Sequence, residues 1–270
     1  MSGVLVRTSS RPPFALAELW HFRELLRSLV VRNLRVKYQR SALGFVWTLL
    51  NPLLTVAVLV TVFSVFLRIP IPRYWAFLVS GYFAWNFFLQ MVNMSTWVLA
   101  EHTSLRRSVA FPPEVLVLAA SLARMVELTV ELSLALLALA LLHHHGTPES
   151  WILLPVLLLL LWLVTLGLSF PVATLAAFYS DVQHALPIGL LMLFYLSPVF
   201  YSAAQVPEAV RPFYFLNPMA GVLTLFQQVL YGGDWPGSRL LLGTAAGAVF
   251  LVVAGYASFH RCKAVFAELV

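Results

Sequence analysis

Apolar runs about as long as a bilayer is thick recur six times along this chain, near residues 46–67, 75–100, 114–142, 151–178, 184–201 and 239–260. A helix needs roughly 20 mainly apolar residues to cross the hydrocarbon core, so each run reads as a span. Of the 270 residues, 61% are apolar and only 10% charged, against about 25% charged in a soluble domain. No soluble fold could bury that much apolar surface. The sequence therefore predicts an all-α integral membrane protein with six transmembrane helices, preceded by a basic arm at 1–45 and built as one membrane domain over 46–270.

An even number of spans puts both termini on one side. With the N-terminus inside, the inner segments hold 12 Lys/Arg and the outer ones four, namely Arg68, Arg73, Arg211 and Arg239. The positive-inside rule then places both termini in the cytoplasm, around a multi-pass protein of the cytoplasmic membrane. The net charge of +6 is thus topological, and no basic surface interleaved with exposed aromatics suggests nucleic acid. The arm lacks the uninterrupted apolar core of a cleaved signal peptide and is expected to stay in the mature protein.

Within the arm, Leu19, Phe22, Leu26 and Leu29 recur every three or four positions, while Arg23, Arg27, Arg35 and Lys37 take the polar faces. Residues 16–38 thus read as an amphipathic helix lying along the cytoplasmic membrane surface. The stretch 202–238 is long, poorly polar and spans nothing. Its piece 218–231 suits a helix but is too short for a bilayer of about 30 Å. Asn217 is placed to cap it, with Pro218 at the first helical position. The preceding VPEAVRPFYF is expected to form a second short piece broken at Pro212. Together they predict a re-entrant helical hairpin entering from the outer face between spans five and six.

Four segments in order, VRNLRVKYQRSALGFVWTLLNPLL at 31–54, SGYFAWNFFLQMVNMSTWVLAEHTSLRRSVAFPPEVLVLA at 80–119, FYSDVQHALPIGLLMLFYLSPVFYS at 178–202 and FLNPMAGVLTLFQQVLYGG at 215–233, resemble the ABC-2 type permeases. Among these, the match is to exporters of O-antigen, capsule or teichoic acid. The resemblance covers nearly the whole chain. One departure is Ser180 before Asp181, where the family usually has Arg, so the resemblance does not carry an ionic contact over to that turn. The resemblance implies a permease that pairs with a second copy of itself and with two ABC ATPase subunits, and that exports a lipid-linked polysaccharide. It places ATPase coupling on the segment from His102 to Ala110, with Ser104, Arg106 and Arg107, and on the turn at Asp181. The residues agree with such a division of labour. There is no GxxxxGK[ST] loop and no Gly-Lys dipeptide, so this subunit lacks a phosphate cradle. It is expected to bind no cofactor and to be no enzyme, ATP and its magnesium being used by the partner.

Flat aromatic rings can hold sugars weakly and release them quickly. The candidate polysaccharide path is Trp85 and Phe88 from span two, Tyr195 and Tyr201 around the end of span five, and Phe213 and Tyr214 in the outer hairpin; an interfacial aromatic belt is the competing explanation of such rings. In span three, Arg124, Glu127 and Glu131 lie three, four and seven positions apart, on one helix face. A lone charge near the bilayer centre costs about 3 kcal/mol on insertion scales, so this polar stripe should face protein or water. It could line a path, bind a neighbouring helix, or form an internally neutral Arg–Glu pair that fixes register.

Other features carry less. His143 to His145 point in different directions with no acid or Cys near them at regular spacing, so no metal site is expected. Cys262 is the single cysteine, which excludes a disulfide framework. Gly243 and Gly247 form a GxxxG on span six, a close-packing motif. Two rivals stay open: the same fold exporting a drug or small lipid, and a membrane-embedded glycosyl- or acyltransferase. The latter would need an acid pair or a His–Asp arrangement at one membrane face, and the two aspartates, Asp181 and Asp234, fall on opposite sides of this topology.

Overall fold

The structure, a computed structural model, describes residues 22–39, 44, 46–100, 111–143 and 148–269. Among these the fold is helical, without strands. Helix α1 (Arg23–Tyr38) carries the amphipathic pattern and ends at Gln39, whose extended backbone returns its N–H to the Arg35 and Val36 carbonyls. Its apolar side packs on the end of the bundle where α4 begins, with Leu29 only 3% exposed and Leu25, Leu26 and Val30 beside it.

Four helices are long and apolar enough to cross a membrane: Val46–Phe66, Glu114–Leu142, Glu149–Phe178 and Ser238–Lys263. The first is α2 (Val46–Val60) running into a π-helical turn, Thr61–Phe66. The next three are α4 (Glu114–Leu142), α5 (Leu154–Phe178) entered through a 3-10 turn, and α9 (Ser238–Leu269). Between α2 and α4 lies α3 (Tyr74–Ser95). Asn86, Gln90, Asn93 and its Trp and Tyr rings make α3 less hydropathic than its neighbours, yet it is the most enclosed of the long helices: 17 of its 22 residues are buried. It forms the axis of a core in which Phe77, Trp85 and Phe88 meet Leu128, Leu157, Leu161, Met219 and Phe226.

The fifth apolar run is shorter than expected. Helix α6 (Val182–Tyr195) stops six residues before the predicted end. The cause is Ser197-Pro198: the residue before a proline is driven out of the α region, and Val199 turns back to bond the Ser197 carbonyl at 2.8 Å. Pro212 also acts differently from expectation. It lies in the first turn of the one-turn helix α7 (Arg211–Tyr214) and starts that helix rather than breaking it, because a missing N–H costs nothing there. Helix α8 (Pro218–Gln227) follows and ends in a π turn, Gln228–Gly232.

Asn217 caps α8 as expected, accepting from the Met219 N–H at 3.0 Å, while its amide donates to the Ser197 hydroxyl at 2.9 Å. One side chain thus fastens the outer segment to the end of α6. Asn217→Ala is expected to cost about 1 kcal/mol for the cap alone, and more with the lost Ser197 bond, read as a drop in thermal midpoint in mild detergent.

The closest helix approach joins α5 to α9, the most extensively packed pair. A Cβ on Gly255 would collide with the Gly167 carbonyl, and one on Gly167 would collide with the Leu251 and Val252 backbone. The GxxxG pair plays no such part within the chain: Gly243 and Gly247 both face open space.

Candidate functional site

The predicted polar stripe is a buried ion network. Arg124 donates through Nη1 to Glu127 Oε2 at 2.6 Å and to Glu131 Oε1 at 2.9 Å. The side chains of all three are under 5% exposed. Lys37 of α1, grouped in the sequence with the solvent-facing cations, instead turns inward and donates to both oxygens of Glu127, at 3.0 and 2.7 Å. Two cations and two acids therefore neutralise one another, three of them buried in the bundle and Lys37 reaching in from its edge with a side chain 45% exposed. That is how such groups are tolerated in the membrane interior, where an unpaired charge would be driven out or neutralised. The stripe satisfies two of its sequence readings together, since Arg124 neutralises acids on its own helix while Glu127 binds a neighbouring one.

The consequence is mechanical. Helix α1 touches α4 through apolar packing, which tolerates sliding, and through one charged contact, which does not. A displacement of α1 must either drag Glu127 or leave a buried carboxylate with one partner fewer. A second ionic tie lies near the same end of the bundle, where Lys263 of α9 donates to Glu114 at the start of α4 at 2.8 Å.

At the other end, the segment after α6 is knit to α3 and α8. The Tyr74 hydroxyl donates to the Phe200 carbonyl at 2.7 Å, and the Gln227 amide to the Pro198 carbonyl at 2.5 Å. His143 is occupied here rather than poised for a ligand: its ring stacks on Tyr231 and its Nε2 lies 2.9 Å from the Tyr231 carbonyl. Rings from α6 to α7 run in a chain, Phe194 to Tyr195, Phe200, Tyr201 and Tyr214. Tyr214 donates to the Tyr201 hydroxyl at 3.1 Å, and Tyr201 to the Tyr195 carbonyl at 3.3 Å. Burial, helped by the bond to Tyr201, raises the Tyr214 pKa above the ordinary tyrosine value. Of the candidate path residues, Tyr195 and Phe213 are exposed and Tyr201 and Tyr214 half-buried. Trp85 and Phe88 are enclosed in the core, with Trp85 packing on Phe194 at 5.5 Å between centroids.

The model of the ABC-2 type transporter family matches residues 24–231. The chain belongs to this family. The matched region of this ABC-2 protein runs from α1 through the π turn that ends α8. Among its relatives is the O-antigen export system permease protein RfbA of Myxococcus xanthus, 32% identical over 94% of this chain and 98% of the relative. RfbA of Klebsiella pneumoniae is 26% identical over 93% and 97%. The polysialic acid transport protein KpsM of Escherichia coli is 19% identical over 77% and 81%.

In this ABC-2 chain the expected coupling residues are only partly placed. His102, Ser104, Arg106 and Arg107 lie outside the described residues. Asp181 is exposed at the start of α6; its carbonyl accepts from His184 and Ala185, and its side chain caps nothing.

Proposed function

We propose that this chain is the permease subunit of an ATP-driven exporter that carries a lipid-linked polysaccharide across the cytoplasmic membrane. The observation that carries this reading is the end-to-end similarity to permeases named for O-antigen export, at 32% identity for one of them. Two copies of the chain form the path, and two separate ATPase subunits drive it. Six crossings, with both termini in the cytoplasm, are supported by α3, whose 22 residues reach about 33 Å, and by the 14-residue α6, which reaches only about 21 Å and completes its crossing through the turn after Tyr195. Residues 202–238 then form a re-entrant hairpin on the outer side. The exposed rings of Tyr195 and Phe213, with the half-buried Tyr201 and Tyr214, offer stacking faces to the polymer, backed from the core by Trp85 and Phe88. The ATPase pushes on the segment holding His102, Ser104, Arg106 and Arg107, on Asp181 and on α1. Lys37 and Glu127 pass the displacement of α1 to α4.

Reconstitution of the chain with its ATPase in vesicles tests this. ATP-dependent arrival of lipid-linked glycan on the far side is expected, and transport of drugs or small lipids with no response to glycan would overturn the assignment. In the same assay Lys37→Met is expected to lower glycan transported per ATP severalfold while the chain still folds, since Arg124 continues to neutralise Glu127. Lys37→Arg, which keeps charge and reach, should transport nearly as well as the parent. Equal coupling in all three would remove α1 from the transmission.

A further inference from the structure

Between α9 and the segment that carries α7 and α8 runs a groove of about 960 Å³, apart from the ion network. Its volume is at the upper end of the roughly 300–1,000 Å³ of ligand sites. Along α9 its wall extends from Arg239 to Leu251, a stretch of about 18 Å at the rise of a helix. One leaflet's share of a hydrocarbon core about 30 Å thick is about 15 Å. The groove is therefore one leaflet deep, and it opens where α9 itself starts, at Ser238.

Its hollow shape comes from missing side chains. Gly243 and Gly247 line it and face open space, whereas Gly221 brings α8 so close to Thr244 that no side chain would fit between them. Past the glycines the α9 wall is apolar, and Phe250 and Leu216, 70% and 77% exposed, form uncovered edges. The mouth is different. Arg239 is exposed, lines the groove and has no hydrogen-bonding or ionic partner among the described residues. The second arginine of the lining, Arg211, is occupied: it donates to the Ala204 and Val206 carbonyls and faces Glu208 at 3.9 Å. One cation without a counter-ion, set at the head of an apolar groove one leaflet deep, matches an amphiphile with a negative head and a hydrocarbon tail.

We propose that this groove holds an anionic glycerophospholipid, its headgroup against Arg239 and one acyl chain lying along Gly243 and Gly247 toward Phe250. The leaflet is the outer one in the topology proposed above. A second copy of the chain is the competing occupant of an open glycine face. A two-fold contact, however, sets the same patch against itself, and this patch has no uncommitted acid to answer Arg239, since Glu208 already faces Arg211.

The test is native mass spectrometry of the purified full-length chain in detergent, with phosphatidylglycerol or phosphatidylcholine of the same acyl chains added. The first phosphatidylglycerol is expected to bind about fivefold more tightly than phosphatidylcholine, the scale of one cation beside anionic headgroups. Arg239→Gln should erase that preference while phosphatidylcholine binds as before, and Arg239→Lys should keep it. Gly247→Leu introduces a side chain where the Cβ meets nothing. It is expected to fill the groove and weaken both lipids by about tenfold, with the thermal midpoint held. An unchanged preference in Arg239→Gln, or parental lipid binding by a folded Gly247→Leu protein, overturns the proposal. Loss of a dimer mass in Gly247→Leu with lipid binding intact also overturns it and gives the face to a second copy. No readout here uses ATP, glycan or an ATPase, so failure of the groove leaves the exporter reading standing, and failure of export leaves the groove.

Discussion

Arg124→Met is expected to remove most of the folded, monodisperse chain from a detergent extract. The substitution leaves Glu131, 1% exposed, without its cation and takes a buried cation away from Glu127. Breaking a buried ionic group by deleting one partner costs about 3–5 kcal/mol, because the surviving charge stays desolvated. A typical fold has only about 5–15 kcal/mol in total. Removing the partner as well should be cheaper, since the penalty comes from the orphaned charge rather than from the absent bond. Arg124→Met with Glu131→Leu is therefore expected to recover much of the lost yield and thermal midpoint, and Glu131→Gln alone should be milder than Arg124→Met. The comparison is a double-mutant cycle read by size-exclusion profile and thermal unfolding. If Arg124→Met extracted and melted like the parent, the network would have to be hydrated, and its role as a rigid link between α1 and α4 would fall.

The parts of this molecule that the sequence makes legible follow from bilayer length or from helical angle. Helices α2, α4, α5 and α9 appear where apolar runs of membrane length occur, and Arg124, Glu127 and Glu131 share a face because their spacing requires it. Asn217 caps α8 because Asn before Pro at the start of an apolar helix has few other uses. Lys37 shows how angle can be misread. It lies eleven residues beyond Leu26, and at 100° per residue that returns it to within about 20° of the same face. Counted by position rather than by charge, it belongs with Leu26, Val30 and Asn33, the side turned toward α4. Its charge suggested solvent; its register placed it against Glu127. The end of α6 was hidden for another reason. The run through Phe200 and Tyr201 stays apolar, so hydropathy gives no break, and only the proline at 198 marks where the backbone must turn.

Glycine packing on α9 is the other place where pattern and structure part, and it yields a sharp experimental contrast. Gly243 and Gly247 carry the recognisable motif, but α5 approaches α9 two to three turns later, at Gly255, against Gly167. Gly255→Ala is expected to destabilise the chain strongly, because the added methyl meets a backbone carbonyl rather than a flexible side chain and α9 as a whole must shift to make room. Overpacking that forces backbone movement costs about 1–3 kcal/mol, sometimes more, and here it would disturb the most extensive helix pair in the fold. Gly167→Ala strikes the same seam from the other side, against Leu251 and Val252. Once either substitution has pushed the helices apart, the other should add little, so the double variant is expected to fall short of the sum of the singles. Gly243→Ala and Gly247→Ala meet nothing within the chain and replace a poor helix former by the best one, a gain of up to about 1 kcal/mol each. Thermal midpoints of the five variants in one detergent decide it. Loss of stability at 243 and 247 with none at 167 and 255 would move the close seam off the α5–α9 pair and onto a contact made outside this chain.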